Sequence, residues 1–188
     1  SDSVDFVAGP VFYGVDGTTL TATPGSVLAD DAAEHKVSVT VVDKFDNPIN
    51  NAEVVYTVEA PAHLVGSTSA RSGKNGVSDA SVTSATSGTF RVTATVNGAP
   101  VTEGSPASVT FSPGAAVAAT STLKVTTGDR VADGVDTHTA TIELRDINGN
   151  PVPNDAASAV LSSVPGRVGT VTETSTPGTY TAPLTSTV

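Results

Sequence analysis

Two acidic segments of the chain carry residues that could bind a metal ion or take part in catalysis. The first is VDKFDNPINNA, beginning at Val42, and the second is RDINGNPVPND, beginning at Arg145. Each has an Asp as its second residue, passes through Asn-Pro and follows a run of alternating apolar residues. Loop Asp and Asn side chains can supply oxygen ligands to a hard cation, and carboxylates can act as general acids or bases. The same residue types also favour tight turns.

Comparison of the two segments favours a turn. Asp43 is kept as Asp146, whereas Asp46 is replaced by Gly149. A metal-binding or catalytic carboxylate does not tolerate replacement by Gly, but a left-handed turn position accepts Gly, Asn and Asp. We therefore predict a turn between two strands, in which Asp43 and Asp146 accept hydrogen bonds from backbone amides. The predicted turn residues are Asp43, Asn47, Pro48, Asp146, Gly149, Asn150 and Pro151.

The three histidines do not form a catalytic pattern. His35 and His138 occupy the same position of a repeat, at the start of equivalent strands, so we expect a structural role such as hydrogen bonding at a strand end. His63 lies in the loop EAPAHLVG with no acidic or nucleophilic partner nearby in sequence, which predicts a solvated loop histidine. The chain has no Cys, and no nucleophile, base and orienting group come together. We predict no catalytic residues and no enzymatic activity.

Calcium is the one cofactor that the sequence leaves open. The candidate ligands lie near the predicted domain junction and in the equivalent region of the other copy: Asp129, Asp133 and Asp136, and Asp16, Asp30 and Asp31. Their spacing does not match an EF-hand loop. A solvated loop is the alternative, and the sequence predicts no other metal and no cofactor-binding residues.

Composition predicts the elements that position these loops. The 188 residues include no Cys, Met or Trp and only five Phe and three Tyr, while Val, Ala, Thr, Ser and Gly are abundant. Such a chain favours short strands joined by turns. Nine basic and 19 acidic residues give a net charge of −10, which disfavours binding to nucleic acid or to anionic membrane surfaces. The lack of Cys excludes a disulfide scaffold, and no segment is apolar enough for direct membrane insertion.

The chain contains an internal repeat. A shift of 103 residues aligns 19–51 with 122–154 without a gap, and eleven of these 33 positions are identical. This predicts domains of about 100 residues, the size of an immunoglobulin-like sandwich. SVDFVAG near the N-terminus resembles SVTFSPG, which closes the first full repeat. We therefore predict the last strand of a preceding repeat in 1–9, a complete domain in 10–115, and a second domain in 116–188 that lacks its last two strands. Either more chain follows and supplies the missing strands, or a strand from another copy takes their place.

Alternation of apolar residues predicts the strands of the complete copy. Val37, Val39 and Val41 share one face of HKVSVTVVD, and TFRVTATV directs its apolar residues inward. EVVYTVE, VSDASVT, ASVTFS and TTLTAT are further predicted strands, and no helix is predicted. The expected fold class is all-β, with tandem immunoglobulin-like β-sandwich domains.

The ordered motifs resemble the bacterial immunoglobulin-like (Big-1 type) repeats of the intimin/invasin adhesin family. The resemblance covers essentially the whole chain, from TLTATPGSVLADDAAEHKVSVTVVDKFDNPINNAEVVYTV through GTFRVTATVNG to DINGNPV and GTYTAPLTS. It implies a rod of stacked domains on the bacterial cell surface, anchored in the outer membrane through regions outside this chain, and it links the protein to adhesion and virulence. The implied function is a non-enzymatic stalk that spaces a binding tip from the cell, with neighbouring repeats and a host-cell receptor as partners.

Two alternatives remain open at this point. The first is a ligand-binding module that contacts a host protein or glycan through loops at the end of the sandwich. The second is a rod that calcium stiffens.

Overall fold

The computed structural model describes residues 4–5, 7–163 and 165–188, which form two compact units. Unit 1 ends at Ser112 and unit 2 begins at Pro113, three residues before the boundary predicted from the repeat. The described residues contain no α-helix, and Ala156–Ser158 form a single turn of 3₁₀-helix. The all-β fold class predicted from the sequence is confirmed.

Unit 1 is a sandwich of two sheets. Its strands are β1 (Thr19–Ala22), β2 (Ser26–Leu28), β3 (His35–Thr40), β4 (Glu53–Val58), β5 (His63–Leu64), β6 (Ser69–Arg71), β7 (Val77–Thr83), β8 (Gly88–Val96), β9 (Ala99–Pro100) and β10 (Ala107–Ser112). One sheet has the order β1-β3-β7-β5, and the other has the order β2-β10-β8-β4-β6, with β9 paired to β8. β2 and β10 are parallel, and the other pairs are antiparallel.

Alternate residues of the strands form the core between the two sheets. Val37, Val39 and Val41 are fully buried, as the alternation predicted. The predicted inward face of β8 is also buried, and it consists of Phe90, Val92, Ala94 and Val96. Each fully buried Val or Phe contributes roughly 1.5–3 kcal/mol relative to exposure, so the apolar pattern determines which face of each strand turns inward.

The described residues of unit 2 form one sheet. Its strands are β11 (Thr122–Val125), β12 (His138–Glu143), β13 (Arg167–Val168), β14 (Thr172–Glu173) and β15 (Thr179–Thr185). The sheet order is β11-β12-β15-β13, and β14 also pairs with β15. Strands β11, β12 and β15 correspond to β1, β3 and β7 of unit 1. A smaller core surrounds Tyr180 and consists of Ile142, Leu144, Val152, Ala159 and Tyr180.

The repeat makes the exposed apolar residues of unit 2 easy to identify. Leu20 of β1 is 1% exposed beneath the second sheet of unit 1, whereas its counterpart Leu123 of β11 is 56% exposed. Among the described residues of unit 2, no second sheet covers this face.

Several local features differ from the sequence-based expectations or fall outside them. The described residues of unit 1 form ten strands, four more than the six named from the sequence, because β2, β5, β6 and β9 have only two or three residues, too few to establish an alternation. In the N-terminal segment, residues 4–5 and 7–9 are described and none of them lies in a strand. Ser1, Asp2, Ser3 and Phe6, which complete the predicted strand of a preceding repeat, lie outside the described residues.

Candidate functional site

The two acidic turns have the same side-chain geometry. Asp43 Oδ1 accepts hydrogen bonds from the amides of Phe45 (2.8 Å) and Asn47 (3.0 Å). Asp146 Oδ1 accepts hydrogen bonds from the amides of Asn148 (2.9 Å) and Asn150 (2.8 Å). The Asn side chain of each turn also donates its Nδ2 to the Asp carboxylate. One carboxylate oxygen therefore organises each turn by accepting hydrogen bonds from the amides two and four residues ahead.

The backbone closes each turn in the same way. The amide of Asp43 donates to Asn47 O (3.0 Å), and the amide of Asp146 donates to Asn150 O (3.0 Å). The exchanged position has a left-handed backbone in both copies, with φ of 64° at Asp46 and 83° at Gly149. This conformation is open to Gly, Asn and Asp, so the carboxylate of Asp46 is not needed for the geometry.

Two further glycines support the turns from the neighbouring strand. Gly76 precedes β7 and Gly178 precedes β15, and their φ values are 76° and 71°. A Cβ at Gly76 would lie 2.5 Å from Val41 O, and one at Gly178 would lie 3.0 Å from Leu144 O. Both glycines therefore allow a close backbone approach that no other residue permits. The sequence did not single them out, although GVSDASV and GTYTAPL align between the copies.

The second carboxylate oxygen of each turn binds a distant amide. Asp43 Oδ2 accepts a hydrogen bond from Gly9 N at 2.8 Å, and Asp146 Oδ2 accepts one from Gly114 N at 2.9 Å. The sequence did not predict these contacts, because almost every residue carries a backbone amide and the residue type therefore does not identify the donor. The only available signal was the similarity between SVDFVAG and SVTFSPG, each of which ends at the Gly concerned.

Hydrogen bonding keeps both carboxylates ionised. The Asn47 side chain and then the Gly9 amide lower the pKa of Asp43 well below its usual range. For Asp146, burial is the largest influence and raises the pKa, but the Asn150 side chain and the amides of Gly114, Asn150 and Asn148 together outweigh it, so the pKa is lowered. A carboxylate with such a low pKa is a poor general base near neutral pH. Its oxygens are already occupied by amide donors.

The calcium candidates of unit 2 take part in local turns. Asp133 Oδ1 accepts hydrogen bonds from the amides of Val135 and Asp136, each at 2.8 Å. Asp136 Oδ2 accepts from the Val131 amide at 3.0 Å, and its Oδ1 lies 3.8 Å from Arg130 Nε. Across the described ranges 4–5, 7–163 and 165–188, no group of three or more His, Asp or Glu side chains is placed to hold a metal ion. Asp129 is therefore not brought into a cluster with Asp133 and Asp136.

The equivalent candidates of unit 1 are also separated. Asp30 Oδ1 accepts hydrogen bonds from the amides of Ala32 (2.9 Å) and Ala33 (2.7 Å), in the same manner as Asp133. Asp31 has φ of 62° and lies in a turn, and its Oδ1 is 3.3 Å from His63 Nε2. His63 also lies 3.2 Å from Thr83 Oγ1. His63 is solvated as expected, with 55% of its side chain exposed, but it lies in strand β5 and the fold places Asp31, from a distant part of the chain, beside it.

The other two histidines lie at equivalent strand starts. His35 is buried, its Nε2 is 2.7 Å from Thr110 O of β10, and its Nδ1 is 3.2 Å from Thr23 Oγ1. His138 is half-buried, and its Nδ1 is 3.2 Å from Thr126 Oγ1. Because β3 and β10 belong to different sheets, His35 joins the two layers of the sandwich. Both rings therefore take part in hydrogen bonding at the start of their strands.

The two-sheet sandwich with its repeated turn defines unit 1 as an immunoglobulin-like domain in a tandem array. Residues 17–112 match the family described as bacterial Ig-like domain (group 1), and residues 117–188 match the family described as invasin, domain 3. The chain therefore belongs to the bacterial Ig-like domain (group 1) family, as its motifs indicated. These are adhesin-type immunoglobulin-like domains, which are non-enzymatic and have an adhesin-related role.

Solved structures of adhesins resemble the chain. InvD of Yersinia pseudotuberculosis is 26% identical over 90% of this chain and 49% of its own length, with a TM-score of 0.68. FdeC, an Escherichia coli adhesin, is 24% identical over 96% of this chain and 57% of its own, with a TM-score of 0.69. Invasin, a bacterial integrin-binding protein, is 31% identical over 91% of this chain and 34% of its own, with a TM-score of 0.48. The chain thus spans 34–57% of the length of these relatives. Within the described residues, no helix has the length and apolar character needed to cross a membrane.

Proposed function

We propose that the chain is a stalk module of a bacterial surface adhesin and spaces a binding tip from the cell. The observation that carries this proposal is the use of the repeated carboxylates. Asp43 and Asp146 bind amides of their own units, and so do Asp30 and Asp133. A spacer needs repeated domains with firmly fixed turns, whereas a ligand site needs polar groups that point outward.

The proposed setting is the extracellular face of a bacterium, with anchoring in the outer membrane through regions outside this chain. The adhesin relatives and the net charge of −10 support this setting, since an acidic surface does not adhere to anionic lipid or nucleic acid. The proposed partners are neighbouring immunoglobulin-like repeats, and a host-cell receptor contacted by the tip.

The test is to vary the length of the stalk. One, two or three tandem copies of this chain are placed between an outer-membrane anchor and a peptide epitope, and the height of the epitope above the cell surface is measured by fluorescence localisation. We expect equal increments in height for each added copy. The matched control replaces each copy with a Gly/Ser linker of equal residue number, whose span grows only with the square root of length. Equal heights for the folded and Gly/Ser series would contradict the stalk proposal.

A second candidate function is ligand binding through the acidic turn of unit 1. Phe45 is 74% exposed at this turn, and Lys44 Nζ lies 4.8 Å from the centre of its ring. Exposed aromatic residues beside a cation are common anchors in interfaces. If this surface binds a host protein or glycan, the purified chain will adhere to host cells, and Phe45→Ala will reduce adhesion. Asn148→Ala, at the equivalent position of unit 2, is the control. The stalk proposal predicts that neither the chain nor its variants adhere.

A second copy of the chain is a further proposed partner. The apolar face around Leu123 corresponds to a face that unit 1 covers with its second sheet, and a strand from another copy would cover it in the same manner. Sedimentation velocity over a hundredfold range of concentration tests this exchange. A dimer that Leu123→Lys abolishes would support it, and a monomer at all concentrations would refute it.

A further inference from the structure

Each unit holds the chain segment that leads into it by the same two hydrogen bonds. We call residues 9–12 and 114–117 the leading segments. In unit 1, Gly9 N donates to Asp43 Oδ2 (2.8 Å) and Phe12 N donates to Val42 O (2.9 Å). In unit 2, Gly114 N donates to Asp146 Oδ2 (2.9 Å) and Val117 N donates to Arg145 O (2.8 Å). The amides of the first and fourth residues of each leading segment therefore donate to two consecutive residues of the acidic turn.

The two units keep these hydrogen bonds although the number of residues between the Gly and the Asp differs between them. Gly9 and Asp43 are 34 residues apart, whereas Gly114 and Asp146 are 32 apart. The leading segments GPVF and GAAV share only their Gly. Two residues have been gained or lost between segment and turn, and the side chains have changed, yet the same amides bind the same acceptors. What the two units keep in common is a carboxylate oxygen directed at a backbone amide.

In both units a threonine hydroxyl outside the leading segment binds the same carbonyl. Thr18 Oγ1 lies 3.4 Å from Val42 O, and Thr120 Oγ1 lies 3.1 Å from Arg145 O. The carbonyl before each Asp thus accepts both an amide of the leading segment and a hydroxyl. Hydrogen bonds with an ionised acceptor are stronger than neutral ones, so the Asp contact is the strongest of the set.

We infer that Asp43 and Asp146 are clasps that fasten each leading segment to its own domain and so shorten the free linker between successive repeats. This inference rests on the proposed stalk function, since only a tandem array needs a fixed leading segment. β10 of unit 1 ends at Ser112, and Gly114 is already bound by Asp146. One residue, Pro113, lies between them, and its ring fixes its φ angle. The same aspartate that organises the turn with Oδ1 binds the incoming chain with Oδ2.

The experiment measures amide hydrogen exchange by NMR on the whole chain, which carries both clasps. Asp146→Asn keeps one side-chain oxygen for the turn but replaces Oδ2, which accepts the hydrogen bond from Gly114 N, with an amide NH2 group. We expect the Gly114 amide to exchange roughly tenfold faster or more, as loss of a hydrogen bond to a charged group implies. The Gly9 amide will keep its wild-type rate, because its own clasp is intact. Asp43→Asn will give the reciprocal result.

A control variant changes the donor residue without removing its hydrogen bond. Gly114→Ala keeps the amide, and its Cβ would lie 3.7 Å from Asp146 Cβ, an ordinary contact. We expect this variant to retain the slow exchange at residue 114. In Asp146→Asn, heteronuclear relaxation at residues 115–117 will show increased motion, whereas the amides of β12 and β15 stay protected.

The inference is overturned if the Gly114 amide of the unmodified chain exchanges at the rate of an unprotected peptide. This measurement does not depend on the folding of any variant. It is also overturned if Asp146→Asn leaves this rate unchanged while β12 and β15 remain folded. These outcomes are distinct from failure of the stalk proposal. Slow Gly114 exchange in a chain that adheres to cells on its own would refute the stalk and leave the clasp.

Discussion

His35 offers the sharpest test of how the sandwich of unit 1 is held together. The side chain is 1% exposed, its Nε2 binds Thr110 O at 2.7 Å, and its ring meets Phe111 edge-on at 5.2 Å. His35→Ala removes a buried ring and leaves the Thr110 carbonyl without this donor. Truncation of a large buried side chain typically costs 2–5 kcal/mol, and a stranded buried acceptor adds 1–3 kcal/mol, so we expect a loss of about 4 kcal/mol.

His138 is the matched control for this prediction within the same chain. It occupies the same repeat position, is half-buried, and lies 3.2 Å from Thr126 Oγ1. No described residue of unit 2 provides the equivalent of the Thr110 carbonyl to His138. His138→Ala should therefore cost less than about 1 kcal/mol, the usual size of one partly exposed hydrogen bond.

Urea unfolding followed by NMR peak intensities measures the two units separately. The Val39 amide reports on unit 1, and the Ile142 amide reports on unit 2. His35→Ala should lower the unit 1 midpoint strongly and leave the unit 2 midpoint unchanged. His35→Gln, which can still donate to Thr110 O, should recover part of the loss. Equal losses in His35→Ala and His138→Ala, or a loss below about 1 kcal/mol at His35, would refute the assignment of His35 as the link between the sheets.

Three further outcomes are expected. The folded-state pKa values of Asp43 and Asp146 are lowered, so these residues contribute stability that is fully present above the ordinary carboxyl pKa of about 3.9 and is lost as the pH falls through the folded values. Acid unfolding curves should therefore flatten in the Asp43→Asn/Asp146→Asn double variant. Identical curves for the variant and the unmodified chain would contradict this. Tyr180→Phe should lower the free energy of unfolding of unit 2 by about 2 kcal/mol in urea, since the hydroxyl donates to Val152 O and accepts from the Asp155 amide, each at 2.9 Å. An unchanged unit 2 midpoint would show that these hydrogen bonds do not stabilise the unit. Millimolar calcium and excess chelator should give the same thermal midpoints and scattering profiles, whereas saturable heat in calorimetry would favour a calcium-stiffened rod.

Features that depend on side-chain periodicity were predictable from the sequence. The alternation in HKVSVTVVD identified the buried face of β3, because one face of a strand must be apolar when two sheets pack together. The domain repeat was equally visible, since eleven identities in 33 positions define a single register. Strands of two or three residues escaped prediction because they are too short to show any period.

Contacts between distant polar groups were not predictable. Asp31 and His63 lie on segments with no shared pattern, and their pairing depends on where β5 is placed beside β7. The turn at Asp30 and Asp31 was equally hidden. Asp31 has φ of 62°, and the Asp30 side chain binds the amides two and three residues ahead and so turns the chain. The Gly114 contact was hidden for a different reason, since its donor is a main-chain group.

The eleven identities between the two copies are concentrated where the chain must satisfy its own backbone. Asp30 and Asp133 each bind the amides two and three residues ahead, and Thr23 and Thr126 each contact the His of the adjacent strand. Gly25, Gly128, Asn51 and Asn154 all have positive φ, and the Asp and Asn-Pro residues build the acidic turn. Apolar core positions are kept less strictly, since Val39 is replaced by Ile142, although Leu20 and Ala29 are retained. A burial site accepts any apolar side chain of similar volume, but an amide that needs an acceptor at a fixed distance accepts very few residues. Most of the residues that the copies share therefore fix turns and strand starts, which is what the proposed stalk function requires.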